Sequence, residues 1–487
     1  MTQKAAIIGS GVGGLATALR LRKKGFDVTV FEQADKAGGK AVRIEQNGFQ
    51  WGFGPSLLTL PNLIDELFEH CGKQPRDYYS YQKLDPICKY FFADGVTTSA
   101  WADNNKFAIE LSDKLGEPSS NTLLHLKHID ENYELTKDLF LNSSLHKFKT
   151  YLQSAALNAM LHVPQLGLFT TMHRSLQKRF STAKAIQLFS RYATYNGSNP
   201  YKCPATLNVI ATPEYLHGAF MMKEGMAQIS EAMYKLAVQM GIQFEFNSTV
   251  EKIIVKDKRA VGVYVKNKEI YADVIVSNMD VQFTYKKLLA NEKQPSKILS
   301  QERSTSALIF YWGIKKEFKE LDVHNIFFSE NYKEEFRYTD ELKAIFNDLT
   351  VYVFISSKLN KNHAPKGEEN WFVLVNAPYN NGQDWNKIVT EARQNIIAKL
   401  SVALNTNVEA LITTEIVNTP LNIEQLTSSY LGSLYGNSSN NIFSAFLRHP
   451  NFSSQIKNLF FCGGSVHPGG GIPLCLLSAK LVDELVG

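Results

Sequence analysis

Ala5-Ala6-Ile7-Ile8-Gly9-Ser10-Gly11-Val12-Gly13-Gly14-Leu15-Ala16-Thr17-Ala18-Leu19-Arg20-Leu21 is the stretch whose reading decides the fold. Ala5–Ile8 is a short apolar run of the kind buried in a parallel sheet. The glycines follow at once, residues 15–21 read as a helix, and Asp27–Phe31 reads as a second strand ending in Glu32. Strand, glycine turn, helix and strand in register predict a βαβ unit that binds a dinucleotide. Gly9 permits the tight turn, Gly11 lets the backbone approach a pyrophosphate with Gly13 in the same turn, and Gly14 allows close helix–strand packing. The N–H groups of the helix start face the phosphates. Glu32 lies 18 residues past Gly14, where a carboxylate accepts bonds from the adenosine ribose hydroxyls. An acid there argues against a 2′-phosphate, but does not separate NAD from FAD.

The segment that follows separates them. Gly38-Gly39-Lys40 is a tight turn with a cation, open between a phosphate partner and a solvated surface charge. Residues 41–46 and 49–51 flank Asn47-Gly48, a hairpin signal. Gly54-Pro55-Ser56-Leu57 is a further turn that can bring backbone up to a flavin. Far along the chain, residues 458–462 read as a strand leading to Gly463-Gly464. The run His467-Pro468-Gly469-Gly470-Gly471-Ile472-Pro473 then opens a closing helix over residues 474–480. Pro473 suits the first helical position, having no N–H to leave unpaired. The helix N-terminus is expected to point at the pyrimidine edge of a flavin and to stabilise negative charge that builds there on reduction. His467 is open between packing near the flavin and closing its own turn, and Cys475 reads as a packing residue.

Glu32 with Gly38-Gly39-Lys40, Gly54-Pro55 and the run from His467 to Pro473 resemble the phytoene desaturase type of carotenoid desaturase, a branch of the amine-oxidase-like flavoproteins. Arg191-Tyr192-Ala193-Thr194-Tyr195, Glu224-Gly225-Met226 and Ala272-Asp273-Val274-Ile275-Val276-Ser277-Asn278 also fit, so the resemblance covers nearly the whole chain. The Gly-Gly-Gly-Ile-Pro-Leu-Cys-Leu-Leu ending and the length look closer to the 1-hydroxycarotenoid 3,4-desaturases than to the multi-step phytoene enzymes. One departure matters: members of the family usually carry an acid two residues before the Gly-Pro, and here that position is Gly52. No catalytic role assigned to that acid carries over, and no general base is legible.

The resemblance implies FAD as cofactor and dehydrogenation of a hydrophobic polyene, in which a hydride leaves an allylic carbon for the flavin, a proton leaves the neighbouring carbon and a new double bond extends the conjugation. It also implies that the strand beginning near Val250 passes the adenine, against the plainer reading of a buried strand valine. Quinone and oxygen are both open as electron acceptor. Rival readings on the same scaffold are a phytoene- or lycopene-type desaturase, a flavin-dependent isomerase or saturase, an amine oxidase, and an isoprenoid-binding protein.

The middle of the chain reads as α/β. Met226, Ile229, Met233, Leu236 and Met240 mark one face of a helix that stops at Gly241. Strands are expected over residues 242–246, 249–255, 260–266, 270–277, 307–314, 350–355 and 371–377, with an amphipathic helix near 388–404 and a loop at Gln383-Asp384-Trp385. The expected architecture is a Rossmann-like FAD-binding domain (1–90, 215–290 and 445–487), a sheet-based substrate domain (91–105 and 291–444) and a helical insert (106–214).

Between Leu139 and Pro213 there is no Asp or Glu. Lys147, Lys149, Arg174, Lys178, Arg179, Lys184, Arg191 and Lys202 fall there, exceeding the whole net charge of +5. Phe148, Tyr151, Leu152, Ala155, Leu161, Leu168, Phe169, Met172 and Phe180 are interspersed. Such a stretch can lie in an anionic membrane surface or form a helical subdomain with a basic outer face. Substrates carried in lipid favour the first through residues 139–213. No nucleic-acid recognition fold is present. The five cysteines form no metal-spaced pair, so no metal site is indicated. No apolar stretch approaches the roughly 20 residues of a membrane span. A cytoplasmic, peripherally membrane-associated protein is expected.

Overall fold

A computed structural model describes residues 2–152 and 162–486. Five parallel strands form the sheet that carries the chain start: β1 (Lys4–Ile8), β2 (Asp27–Phe31), β9 (Gln243–Glu245), β13 (Val274–Ser277) and β19 (Leu459–Phe461), in the order β19-β13-β1-β2-β9. β1 is central, which is why Ala5–Ile8 is apolar without alternation and almost wholly buried. The helix Val12–Lys23 makes the crossover to β2 and packs on the closing helix Ile472–Leu485. The two ends of the chain are therefore neighbours.

Two expected elements differ in their limits. Residues 270–277 are not one strand. β12 (Lys268–Tyr271) is exposed and pairs with β11 (Arg259–Val265), which pairs with β10 (Val250–Lys256). β13 instead enters the parallel sheet. The break falls at Asp273, whose carboxylate accepts from the Lys4 N–H at 2.8 Å. The helix expected from Met226 starts at Gln228, because Gly225 at φ +85° puts residues 225–227 into a turn. Ile229, Met233 and Leu236 still form its buried face. The hairpin of β3 (Arg43–Gln46) and β4 (Phe49–Gly52) forms as expected, with Asn47 and Gly48 both at positive φ. A further pair joins β5 (Tyr81–Lys83) to β8 (Phe220–Met222).

A second sheet has seven strands in the order β18-β14-β17-β16-β15-β6-β7. Its members are β6 (Cys88–Phe91), β7 (Thr97–Ala100), β14 (Ser306–Ile314), β15 (His324–Phe327), β16 (Val351–Ile355), β17 (Glu369–Ala377) and β18 (Ile412–Asn418). Only β15 and β6 run parallel. Period-two alternation divides its side chains. Leu308, Phe310, Trp312, Val353 and Val373 pack with the helix Trp385–Ala403. Ile309, Tyr311, Ile326, Phe354 and Phe372 join the large core that also contains the helix Val12–Lys23 and the closing helix. Gln383-Asp384-Trp385 is not simply a loop: Asp384 accepts from the Lys387 N–H and caps the helix that Trp385 begins.

The helical insert includes Asn104–Leu115, Ser119–Phe140, Met172–Gln177 and Ala183–Ser190. Glu117, fully buried, accepts from the N–H groups of Ser181 and Thr182 and from the Thr182 hydroxyl, fastening two of its parts. The segment without acids in sequence is not without them in space. Arg191 pairs with Glu214, Lys184 with Asp94, and Lys202 with Asp340 and Glu341. Three of the eight cations are thus partnered by acids from outside the segment, which sequence order conceals. Met172 and Phe180 are core residues, whereas Phe148, Leu152 and Phe169 are 79%, 67% and 90% exposed. Ala155 and Leu161 lie outside the described residues.

Candidate functional site

β1 ends at Ile8, and the chain turns through Gly9 into the helix whose N-cap is Gly11. No side chain caps that helix, so the first-turn N–H groups take no side-chain acceptor. A Cβ on Gly14 would stand 2.1 Å from the Gly9 carbonyl oxygen, so the helix can pack this closely only with glycine there. Gly11 forms a bridge with Gly38, and the Gly38 N–H donates to the Ser10 carbonyl at 3.0 Å. Gly39 lies over Gly11, and Gly54 lies over the Lys40 carbonyl, the nearest atoms to their Cβ positions being 3.1 and 3.2 Å away.

Glu32 is buried at the end of β2. Its Oε2 accepts from the Ser10 N–H at 2.8 Å and from the Ser10 hydroxyl at 2.7 Å, and its Oε1 accepts from the Ala34 N–H at 2.9 Å. A carboxylate offers about four lone-pair positions. Glu32 therefore holds the glycine turn in place and keeps acceptor capacity on Oε1. The loop after β9 packs on the same strand end, with the Ser248 N–H donating to the Glu32 carbonyl, and Val250 follows as a buried residue at the start of β10.

The closing turn reaches this place from the other end of the chain. Gly463 lies beside Gly13, at 3.0 Å from the position of a Cβ there, and Gly464 packs on Gly470. Gly471 caps the final helix with no side-chain bond, and a Cβ on it would meet nothing within 4 Å. Ile472 is the first helical residue and Pro473 the second, one position later than expected; neither position has an intrahelical use for its N–H. Lys40 lies between the two turns. Its Nζ donates to the Leu434 carbonyl at 3.1 Å, and burial pulls its pKa down to about 8 against the upward pull of Asp280.

Other expected residues face elsewhere. The Ser56 Oγ accepts from the Tyr352 hydroxyl on β16 at 2.9 Å, tying the Gly54–Leu57 turn to the seven-stranded sheet, and Leu57 packs at the edge of the large core. The His467 ring reaches the helical insert: Nε2 is 2.9 Å from the Ser143 carbonyl, which only accepts, so Nε2 carries the proton. His467 thus joins the closing turn to the insert.

Asn278 was without an assigned role in the sequence. It follows β13, and its side chain faces Gly11, Gly13 and Gly463 together. Its place directly after the fully buried strand Val274–Ser277 was the available signal. Asp280 and Arg303 form a buried ion pair nearby, with Arg303 also donating to Ser433 and Asn437. That pair joins residues remote in sequence and had no sequence signature.

Two uncapped helix starts, an acid at the second strand end and a desolvated lysine between two glycine turns suit a long anionic cofactor with a flat ring. A family model described as flavin containing amine oxidoreductase matches residues 12–482. The chain belongs to that family. This oxidoreductase is 49% identical over 484 residues to a 1-hydroxycarotenoid 3,4-desaturase from Flavobacterium sp. (strain P99-3), covering 99% of each chain. It is 31% identical over 507 residues to a phytoene desaturase from Neurospora crassa, covering 99% of this chain and 84% of the relative. Among solved structures, it is similar in fold to wild-type putrescine oxidase bound to putrescine, with a TM-score of 0.63, 14% identity, and coverage of 100% of this chain and 99% of the other. Flavin is the cofactor of the oxidoreductase. On the seven-stranded sheet, Tyr311, Phe354 and Phe372 belong to the large core, against which Tyr352, Leu57 and Ile472 also pack.

Proposed function

We propose that the oxidoreductase is an FAD-dependent carotenoid desaturase that introduces a C=C bond into an acyclic or monocyclic, 1-hydroxylated carotene. The observation that carries this reading is the 49% identity with a 1-hydroxycarotenoid 3,4-desaturase across 99% of both chains. The convergence of both glycine turns on one place supports the cofactor assignment.

When bound, FAD supplies a ring that accepts hydride, and the chain supplies geometry. The N–H groups after Gly11 face the pyrophosphate. Glu32 Oε1 would accept from a ribose hydroxyl, and the backbone near Val250 would flank the adenine. Gly39, Lys40 and Gly54 border the ring side, with Lys40 as the nearby cation. The helix start at Gly471, Ile472 and Pro473 would offer its positive end to the pyrimidine edge of the ring. Tyr352, Phe354 and Phe372 form the wall against which an apolar chain lies and from which water is excluded.

Membrane association is part of the proposal. No described helix is long and apolar enough to cross a membrane. Phe148, Leu152 and Phe169 stand exposed among Lys147, Lys149 and Arg174, an arrangement that suits shallow insertion beside anionic headgroups.

The test is expression in cells that make carotenoids, once with acyclic unhydroxylated carotenes and once with 1-hydroxylated ones, followed by absorption spectra of the extracted pigments. A red shift with the hydroxylated substrate alone is expected. A red shift with the unhydroxylated carotenes alone would favour the phytoene-type reading, and no new chromophore with either, despite bound flavin, would overturn desaturation.

A further inference from the structure

The motif Arg191-Tyr192-Ala193-Thr194-Tyr195 joins Tyr90 of β6 and Glu214 in a buried polar cluster. Arg191 Nη2 donates to Glu214 Oε1 at 3.0 Å, to the Tyr90 hydroxyl at 2.7 Å and to the Tyr192 hydroxyl at 2.9 Å. Nη1 donates to the Tyr195 hydroxyl at 3.0 Å. Tyr192 and Tyr195 in turn donate to the two Glu214 oxygens, each at 2.6 Å. The ion pair is closed on itself. What it leaves over is Arg191 Nε, buried and without a hydrogen-bond partner among the described residues.

A second unpartnered atom comes from the sheet. His324 is 4% exposed, its Nδ1 lies 2.7 Å from the Tyr352 hydroxyl, and Tyr352 donates onward to Ser56 Oγ. With the Tyr352 proton on Ser56, His324 Nδ1–H donates to Tyr352 and Nε2 is a bare acceptor. That Nε2 is also buried without a partner among the described residues. Strand register puts Tyr90 and Tyr352 beside Ile326, and His324 two residues earlier, so these side chains leave the same face of the sheet. The far end of the chain His324–Tyr352–Ser56 is the Gly54–Leu57 turn, which packs on Lys40.

We propose that His324 Nε2 and Arg191 Nε mark the seat of a neutral aliphatic hydroxyl at the end of the polyene substrate. This rests on the desaturase reading above and deepens it. Burial keeps Tyr90, Tyr192 and Tyr195 protonated by raising their pKa values, and burial with the Arg191 charge holds His324 neutral, down to about 3. Arg191 and Glu214 cancel, so the seat carries no net charge and desolvates a neutral group more cheaply than an ion. A carboxylate would face Glu214, an ammonium would face Arg191, and each of those is already paired. An alcohol brings one proton, which the bare imidazole nitrogen accepts, and lone pairs, which the guanidinium N–H requires. An ether supplies only the second, and a hydrocarbon neither. A hydroxyl on C1 is two carbons from C3. An anchor that presents the 3,4 bond to the flavin therefore belongs beside the ring-side turn, where Ser56 tethers His324.

The test uses the full-length, flavin-loaded protein with three saturated, unreactive probes of equal chain length: a terminal tertiary alcohol, its methyl ether and the parent hydrocarbon. Binding is read from the perturbation of the flavin spectrum. The alcohol is expected to bind about 10- to 100-fold more tightly than the ether. His324→Phe should reduce that ratio to near one by weakening the alcohol and not the hydrocarbon, and should raise KM for a 1-hydroxylated carotene. Arg191→Lys, which keeps the charge but lacks Nε, should weaken alcohol binding where it retains flavin. Where it does not, His324→Phe decides. Full retention of the alcohol preference in His324→Phe, or equal loss with alcohol and hydrocarbon, would overturn the seat. Failure of the unaltered protein to desaturate any carotene would fall on the desaturase reading instead, since probe binding does not require turnover.

Discussion

Asn278 and Gly463 face each other where the two chain ends meet, and a Cβ on Gly463 would stand 2.5 Å from Asn278 Oδ1. Gly463 also has φ +94°, a conformation that side chains resist. Gly463→Ala therefore meets two obstacles, a clash and backbone strain. We expect a loss of about 2–4 kcal/mol in stability together with loss of flavin. Adding Asn278→Ala should recover only the part due to the clash. Thermal unfolding and the ratio of flavin to protein absorbance measure both; an unchanged melting temperature in Gly463→Ala would contradict this packing.

Glu32→Ala should release flavin and destabilise the fold at once. Removing the carboxylate strands the Ser10 and Ala34 N–H groups as well as any ribose contact. Orphaned buried donors cost about 1–3 kcal/mol each. Ser10→Ala removes one hydroxyl donor and leaves both N–H bonds, so it should cost less and retain flavin. Flavin content after gel filtration, compared with the urea midpoint, separates the two effects. Full flavin retention in Glu32→Ala would remove the ribose role.

The parallel sheet and both glycine turns were legible because each rests on a local pattern: an apolar run, a fixed glycine spacing, or a helix start. Residues 270–277 misled because Tyr271 and Val274 are both good strand residues, and only the Asp273 bond to Lys4 shows that they serve different sheets. Arg191 counted as a surface charge for the same reason. Its partner Glu214 lies just beyond the acid-free segment, and its three tyrosine partners include Tyr90 from a distant strand. Local chemistry appears in sequence order, whereas pairing across the fold does not.

Lys40 should make flavin binding depend on pH. Its pKa is about 8 in the folded protein against an ordinary 10.5. Between those values the unfolded chain binds more protons, so the flavin-free protein gains stability as pH rises through that window and carries the full burden below it. A bound anion favours the charged lysine, so flavin affinity should be highest below pH 8 and fall above it. Lys40→Met should bind more weakly and flatten the profile. Titrations at pH 7 and pH 9 test this, and identical profiles for the two proteins would exclude Lys40 as the titrating group.

His467 should sensitise the fold to acid. Burial lowers its pKa to about 4, with Arg448 and His146 adding to the effect and the Ser143 carbonyl opposing it. The folded pKa lies below the ordinary 6.5, so its contribution is present above pH 6.5 and is lost as pH falls through 4. One such group accounts for up to about 3 kcal/mol. His449, also lowered to about 4, acts in the same direction. His467→Gln should lower stability at pH 7 by the lost packing and shorten the decline between pH 6.5 and 4. Urea midpoints across that range measure it, and an unaltered decline would assign the acid response to other histidines.

Membrane attachment should depend more on apolar side chains than on charge. Phe148, Leu152 and Phe169 offer large exposed apolar surface, and full burial of such a side chain contributes about 1.5–3 kcal/mol. Lys184, Arg191 and Lys202 are engaged within the protein and cannot turn to a headgroup without breaking those pairs. Replacing all three apolar residues by Ser should therefore lower vesicle affinity by at least about 100-fold. Raising salt from 0.1 to 0.5 M should weaken binding of the unaltered protein to anionic vesicles by a smaller factor, since screening acts on the remaining cations alone. Sedimentation with anionic and neutral vesicles distinguishes the contributions. Undiminished binding after the triple replacement would move the attachment surface away from these residues.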